Sequence, residues 1–262
     1  METQPILTTE KAVFDLTGKI AVITGASKGI GEDIARLFAR FGAKVVVSSR
    51  RQETLDQLAD DIRAQGGDAT GIAAHTGDME QLRQLVDKTI DAYGGIDILV
   101  NNAATNPVYG PSLDCDASAF DKIMGINVKS PFELSKMCYP SMKARGRGSI
   151  IMMSSIAGHT PDPGLGMYSV SKASLNMLTK VLAKEWGSDG IRVNAICPGL
   201  IKTKFSQALW QDDKTLAHFT KRIPIARMGT TDEISPLALF LASDASSYST
   251  GGLFYADGGT VI

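Results

Sequence analysis

The sequence predicts an α/β fold in which one doubly wound parallel sheet of about seven strands is covered by helices on both faces. Three observations carry that expectation. Short β-branched runs alternate with longer helical patterns from end to end, and several of those runs are apolar at every position, as a strand covered on both sides requires. The first such run also passes through a glycine-rich turn straight into a helical pattern.

The expected strands are Ile20–Thr24, Lys44–Ser48, Ala69–Ala74, Asp97–Asn101, Ser149–Ser154, Ile191–Ile196 and Leu253–Ala256. Between the first two, Ile30, Ile34, Leu37, Phe38 and Phe41 fall on one helical face, and Gly42 stops that helix. Further helical patterns run at about 51–65, 79–93, 117–144, 166–187, 203–220 and 231–242. Pro131 lies inside the pattern at 117–144, so a kink or a split into two helices is expected there. No linker, composition shift or internal repeat divides the chain. Residues 1–262 are therefore read as a single domain with an N-terminal extension at 1–15. The longest insertion between core elements, 201–227, follows a strand's carboxyl end, where ligands bind in open α/β sheets.

Lysine and arginine number 27 against 28 acidic residues, a balance that points to neither nucleic acid nor an anionic membrane as partner. Cys115, Cys138 and Cys197 form no Cys-x-x-Cys pair, which fits reduced, buried thiols. The N-terminus lacks the basic-then-apolar order of a signal peptide, and no apolar run reaches the roughly 20 residues of a membrane span. A cytoplasmic protein is the expectation. His159 and His218 have no acidic or cysteine partners at ligand spacing, so no metal site is expected.

The first strand leads into Thr24-Gly25-Ala26-Ser27-Lys28-Gly29-Ile30-Gly31. Gly25 permits a tight turn, Gly29 lets a pyrophosphate approach the backbone, and Gly31 lets the helix pack close. The free N–H groups at the helix start then face the anion. At the end of the second strand, a dinucleotide with a free ribose 2′-hydroxyl generally meets an acidic residue. This chain has Ser48-Ser49-Arg50-Arg51 there and no carboxylate before Glu53. Arg50 offers a planar fork to a 2′-phosphate and Lys28 a second positive charge, so NADP(H) is the predicted cofactor.

Tyr168-Ser169-Val170-Ser171-Lys172 opens a helical pattern, and a spacing of four puts phenol and ammonium on one face. A nearby ammonium is expected to lower the phenol's pKa toward working pH, as a general acid for an alkoxide product requires. Ser154-Ser155 closes the strand at 149–154, at the sheet edge where chemistry collects in this architecture.

These residues, with Asn101-Asn102-Ala103-Ala104, Asn127, Pro198-Gly199 and Asp257-Gly258-Gly259, resemble the short-chain dehydrogenase/reductase family from about Leu16 to Gly259. The resemblance implies a Rossmann-type sheet and assigns Tyr168 as proton donor in reduction and Ser155 as hydrogen-bond donor to the substrate oxygen. It has Lys172 hold the nicotinamide ribose and depress the tyrosine pKa, and Asn127 kink its helix so that a water links Lys172 to solvent. Gly25, Ser27, Lys28, Gly29, Ile30 and Gly31 would bind the cofactor together with Ser49, Arg50, Asn102, Ala103, Tyr168 and Lys172. Pro198, Gly199, Ile201 and Thr203 would hold its carboxamide end. One departure stands after the third strand, where the family often has an acid reading the adenine amine: here His75 occupies that place, with Asp78 three residues on. The segments His75-Thr76-Gly77, Asn102–Pro107 and Pro198–Ser206 are similar to the NADP-dependent carbonyl reductase (dehydrogenase/reductase member 4-like) subgroup. Thr260-Val261-Ile262 differs from that subgroup's peroxisomal ending.

The expected activity is NADPH-dependent reduction of a ketone or aldehyde to an alcohol. Two other readings stay open: a 3-oxoacyl-[acyl-carrier-protein] reductase, for which Lys202, Lys204, Lys221 and Arg222 would meet an acidic carrier, and an NADP-binding sensor module without catalysis. The family resemblance also implies a homotetramer pairing the helices near 117–144 and 166–187. The substrate pocket is expected to draw on 105–109, 159–167 and 202–222.

Overall fold

A computed structural model describes residues 13–262, apart from the side chains at 208, 213–215 and 218. Most of the expected extension at 1–15 and the side chain of His218 thus lie outside the described residues.

Among the described residues, seven strands form one sheet in the order β3-β2-β1-β4-β5-β6-β7, and all neighbours pair parallel. They are β1 Ile20–Thr24, β2 Lys44–Ser49, β3 Asp68–Ala73, β4 Ile98–Asn101, β5 Gly148–Met153, β6 Ile191–Pro198 and β7 Leu253–Ala256. Seven expected strands are seven observed strands, with ends differing by one or two residues.

Side chains along each strand alternate between two apolar cores. Ala21, Ile23, Val45, Val47, Ile98, Val100, Ile151 and Met153 face one core. Val22, Val46, Leu99, Ile150 and Met152 face the other. The first core is closed by helices α1 (Ile30–Arg40) and α2 (Gln52–Ala64), the second by α3 (Met79–Tyr93). One wetted face would have forced polar residues into every second position, so the unbroken apolar runs required this double cover.

The strand order reverses direction between β1 and β4. The loops leaving those two strands diverge and open a crevice at the carboxyl edge of the sheet.

The pattern at 117–144 is split, as the proline suggested. Helix α4 (Ala117–Met124) passes into a π-helical turn at Gly125–Lys129, and helix α5 (Ser130–Ala144) follows. Pro131 sits at the start of α5 directly after the π turn, where the backbone at Lys129 and Ser130 is already right-handed helical, so its missing N–H falls at the change in helical bonding. Within the π turn, the Asn127 side chain is bonded outward to the chain crossing beside it.

Helix α6 (Gly166–Trp186) is continuous, as expected. The pattern at 203–220 is corrected to a short 3-10 turn at Gln207–Leu209 and helix α7 at Asp213–Thr220. The Ser206 hydroxyl donates to the Ile201 carbonyl at 2.5 Å and ties Thr203 into a local turn, offering the backbone an alternative to helix. The pattern at 231–242 likewise begins with a 3-10 turn at Thr231–Glu233, and helix α8 spans Ser235–Ala242.

Candidate active site

Thr24 ends β1 and Gly25 turns the chain at φ +64°, a left-handed value open to glycine at little cost. A Cβ on Gly25 would lie 2.9 Å from the Ala103 Cα. Gly29 repeats the left-handed turn at φ +63° just before α1, and a Cβ there would meet only the Thr203 side chain, at 3.5 Å. The space over Gly29 is a cradle between the helix start and the Thr203 turn, aimed by the first N–H groups of α1.

Asn102 lines the cleft, as its position implied, and also braces the glycine turn. Its Nδ2 donates to the carbonyls of Thr24 at 2.9 Å and Gly25 at 3.1 Å, so its amide is spent on holding the glycine turn. Thr24 returns the contact, its Oγ1 accepting from the N–H groups of Asn102 at 3.1 Å and Ala103 at 3.2 Å. Gly31 leaves room for that clamp, since a Cβ on it would fall 2.5 Å from Asn102 Nδ2. Gly31 does not line the cleft, so its part is to seat Asn102 against the turn.

The cleft above the sheet has a volume of about 550 Å³. It runs from Ser49, Arg50 and His75 past the glycine turn to Ser155, Tyr168 and Lys172, and on to the loop after β6. Ser27, Lys28, Ile30, Ala103, Pro198, Gly199, Ile201 and Thr203 line it as well. Lys28 and Arg50 are exposed, and neither is paired to a carboxylate among the described residues. His75 is also exposed, its Nδ1 accepting from Gly77 N–H at 3.0 Å. Asp78, three residues on, is committed to capping α3 through the N–H groups of Glu80 and Gln81.

Tyr168 and Lys172 lie one turn apart on α6, as their spacing required, and both are buried. The Lys172 ammonium sits 5.5 Å from the centre of the Tyr168 ring and donates to the Met153 carbonyl at 2.7 Å. The expected depression of the phenol is not what this arrangement produces. Burial pushes Tyr168 up to about 12, opposed only by its hydrogen bond to Ser155. Burial likewise brings Lys172 down to about 8, partly offset by the Cys197 thiol. Burial is the largest influence on each group and favours the neutral phenol over the phenolate.

Both of the paired serines line the cleft, but their hydroxyls are spent differently. Ser155 accepts from Ala157 N–H at 3.1 Å. Ser154 is turned largely beneath: its hydroxyl donates to Asn176 Oδ1 at 2.6 Å and approaches the Lys172 carbonyl at 3.3 Å. Asn176 in turn donates to the Gly158 carbonyl at 3.2 Å. A Cβ on Gly158 would stand 2.6 Å from the Lys172 carbonyl carbon, so this loop and α6 meet backbone to backbone. Ser154, Gly158 and Asn176 thus lock the segment carrying Ser155 onto the helix carrying Tyr168 and Lys172. Sequence reading passed over Asn176 and Gly158. The one signal was Asn176 standing four residues beyond Lys172, on the same helical face.

Asn127 is buried and does not line the cleft. Its Nδ2 donates to the Thr105 carbonyl at 2.9 Å and to Ser171 Oγ at 3.0 Å, while its Oδ1 accepts from Thr105 N–H at 2.8 Å. The side chain is fully used in joining the β4 loop, the π turn and α6. Any part it plays toward Lys172 therefore runs through the widened backbone of that turn.

The loop after β6 is held by Ile201 pairing with Gly229 and by Trp210 Nε1 donating to the Thr203 carbonyl at 3.2 Å. Phe205 projects from it, its ring 6.1 Å from that of Tyr168. Cys138 and Cys197 are buried free thiols and Cys115 is half-buried. His159 contacts the Tyr255 hydroxyl at 3.2 Å. Among the described residues no helix is long and apolar enough to cross a membrane.

A family model described as enoyl-(acyl carrier protein) reductase matches residues 25–261. Dehydrogenase/reductase SDR family member 4 of Oryctolagus cuniculus is 43% identical over 244 residues, which cover 93% of this chain and 94% of the relative. A gluconate 5-dehydrogenase from Burkholderia cenocepacia, solved in complex with NADP and tartrate, superposes with a TM-score of 0.93 at 32% identity, covering 96% of this chain and 98% of that one. A 7α-hydroxysteroid dehydrogenase complexed with NADH and 7-oxo glycochenodeoxycholic acid gives a TM-score of 0.92 at 34% identity, covering 96% and 98%. One of these neighbours holds a 2′-phosphate and the other does not, so likeness alone leaves that end of the cofactor undecided.

Proposed function

The chain belongs to the short-chain dehydrogenase/reductase family and is an oxidoreductase, and from that premise we propose that it uses NADPH to reduce a ketone or aldehyde to an alcohol. The observation that carries the reading is the meeting of Ser155, Tyr168 and Lys172 in one cleft with the glycine turn. The residues fit a phosphorylated dinucleotide: two left-handed glycines open the cradle over α1, and Lys28 and Arg50 stand uncompensated along its rim. When bound, NADPH supplies the hydride.

The chain's own groups do the rest. Ser155 orients the carbonyl oxygen by hydrogen bonding and stabilises the charge that grows on it. Tyr168, protonated at neutral pH, delivers its proton to that oxygen. Lys172 stands behind the phenol with an ammonium that favours the phenolate left after transfer, and the π turn at Asn127 widens the backbone beside it. Pro198, Gly199, Ile201 and Thr203 close the far side of the cleft.

Two tests follow. With saturating carbonyl substrate, kcat/KM for NADPH should exceed that for NADH by about 10- to 100-fold, the scale of one or two charge-assisted bonds, and Arg50→Gln should narrow the gap. A preference for NADH would overturn the NADP(H) assignment. The second concerns Asn176→Leu, which leaves the Ser154 hydroxyl and Gly158 carbonyl without their partner. It should lower kcat about 10-fold with KM for NADPH nearly unchanged, and destabilise the fold by about 1–3 kcal/mol. Unchanged kcat would remove Asn176 from the positioning of the site.

The carrier-protein reading is favoured by exposed Lys202, Lys204 and Lys221 near the mouth. Faster turnover of a carrier-bound acetoacetyl thioester than of simple ketones would select it.

A further inference from the structure

Beyond Tyr168 the cleft continues into a slot walled by Ile156, Leu165, Phe205, Leu209, Phe219 and Ile223. Phe205 is 56% exposed although its ring lies beside that of Tyr168, so it presents a bare aromatic surface to whatever fills the slot. Besides Lys28, Arg50, Lys172 and Lys122 of α4, three charged side chains line the cleft, all from the loops flanking this slot. Arg222 and Lys204 come from the insertion after β6, and Asp162 from the loop before α6.

The charges do not cancel. Arg222 Nη1 donates to Asp162 Oδ1 at 3.1 Å, bridging the two loops across the mouth. Asp162 is the only carboxylate that lines the cleft among the described residues, and Lys204 has no ion-pair partner among them. The Arg222 side chain remains 54% exposed, and a guanidinium has five donors, so one bond to Asp162 leaves most of its fork free. Two cations against one anion at the end of an apolar slot select an amphiphile of negative charge.

Resting on the reductase reading, we infer that the substrate is an oxo acid: an apolar body with a carboxylate remote from its carbonyl. Phe205 and its neighbours cover the body. Arg222 and Lys204 bind the carboxylate, and Asp162 holds Arg222 in place across the mouth until it arrives. The cofactor's phosphates do not use up these cations, because Lys28 and Arg50 meet them at the other end of the cleft.

The test compares a flexible pair differing only in charge, 7-oxooctanoate and its methyl ester, with NADPH at neutral pH and low salt. The wild-type protein should show kcat/KM at least about 10-fold higher for the acid, the lower end for charge-assisted bonds that are partly exposed. That ratio should shrink as salt is raised, because partly exposed charges are screened. In the Arg222→Gln/Lys204→Gln double variant the acid/ester ratio should fall to near one. It is read within one protein, so partial loss of fold cancels. Equal turnover of acid and ester by the wild-type protein, or an acid preference that survives the double variant, would overturn the inference while leaving the reductase standing. Turnover of neither compound with NADPH or NADH, nor of any simple ketone, would overturn the reductase reading itself.

Discussion

Replacing Tyr168 by phenylalanine should slow turnover by at least about 100-fold while leaving the fold and NADPH binding in place. The substitution removes one oxygen from a ring that is 9% exposed, so phenylalanine fills the same slot. The hydroxyl's partner, Ser155, keeps its bond from Ala157 N–H and faces the cleft, so no polar group is left stranded in the core. The loss is therefore confined to the proton. Burial holds the phenol at about 12, so it carries its proton at neutral pH, the form that reduction requires. Steady-state kcat together with a fluorescence titration of NADPH checks the expectation. Near-normal kcat in the variant would take Tyr168 out of the mechanism.

Asp97→Ala should do the reverse, unfolding the protein more easily without touching the chemistry of the site. Asp97 lies just before β4, at the sheet edge opposite the cleft, and is 2% exposed. Its Oδ2 accepts from Ile20 N–H at 2.9 Å, Arg145 bonds both oxygens at 2.8 and 3.0 Å, and Arg147 adds a contact at 3.3 Å. Burial, the largest single influence, pushes this carboxyl up. The Arg145 bonds, the Ile20 N–H and the two positive charges together outweigh it and hold the group below the usual carboxylate range. Alanine leaves the Ile20 N–H and the inner face of Arg145 without an acceptor. The expected loss is about 3 kcal/mol, or a fall in Tm of about 6–12 °C for a chain of this size. A fall of less than about 2 °C in a thermal melt would refute it.

The pH dependence of the same group follows in sign. A carboxyl whose folded pKa is depressed contributes stability that is fully present above its unfolded pKa, near 3.9, and is lost as pH falls through the lower folded value. Acid unfolding of the wild-type protein should therefore be displaced toward lower pH than that of Asp97→Ala.

What could be read from the chain was whatever repeats locally. The strands were legible because several are unbroken apolar runs covered on both faces, and Val45-Val46-Val47 serves both cores at once. The glycine turn was legible because left-handed backbone at Gly25 and Gly29 leaves few residue choices. Tyr168 and Lys172 were legible because a spacing of four on a helix is a contact.

Distant partners and burial were decided only by the tertiary structure. The Asn102 amide went to the carbonyls of Thr24 and Gly25, over seventy residues away in sequence, and no local pattern encodes that choice. The irregular turn in 117–144 fell at 125–129, just before Pro131, where Thr105 and Ser171 bind the Asn127 side chain. Sequence spacing put an ammonium beside a phenol and suggested a lowered pKa, yet spacing carries no information about solvent. Burial of the phenol raises its pKa instead. Periodicity fixes which residues can share a face, and packing fixes the dielectric and the partners they find there.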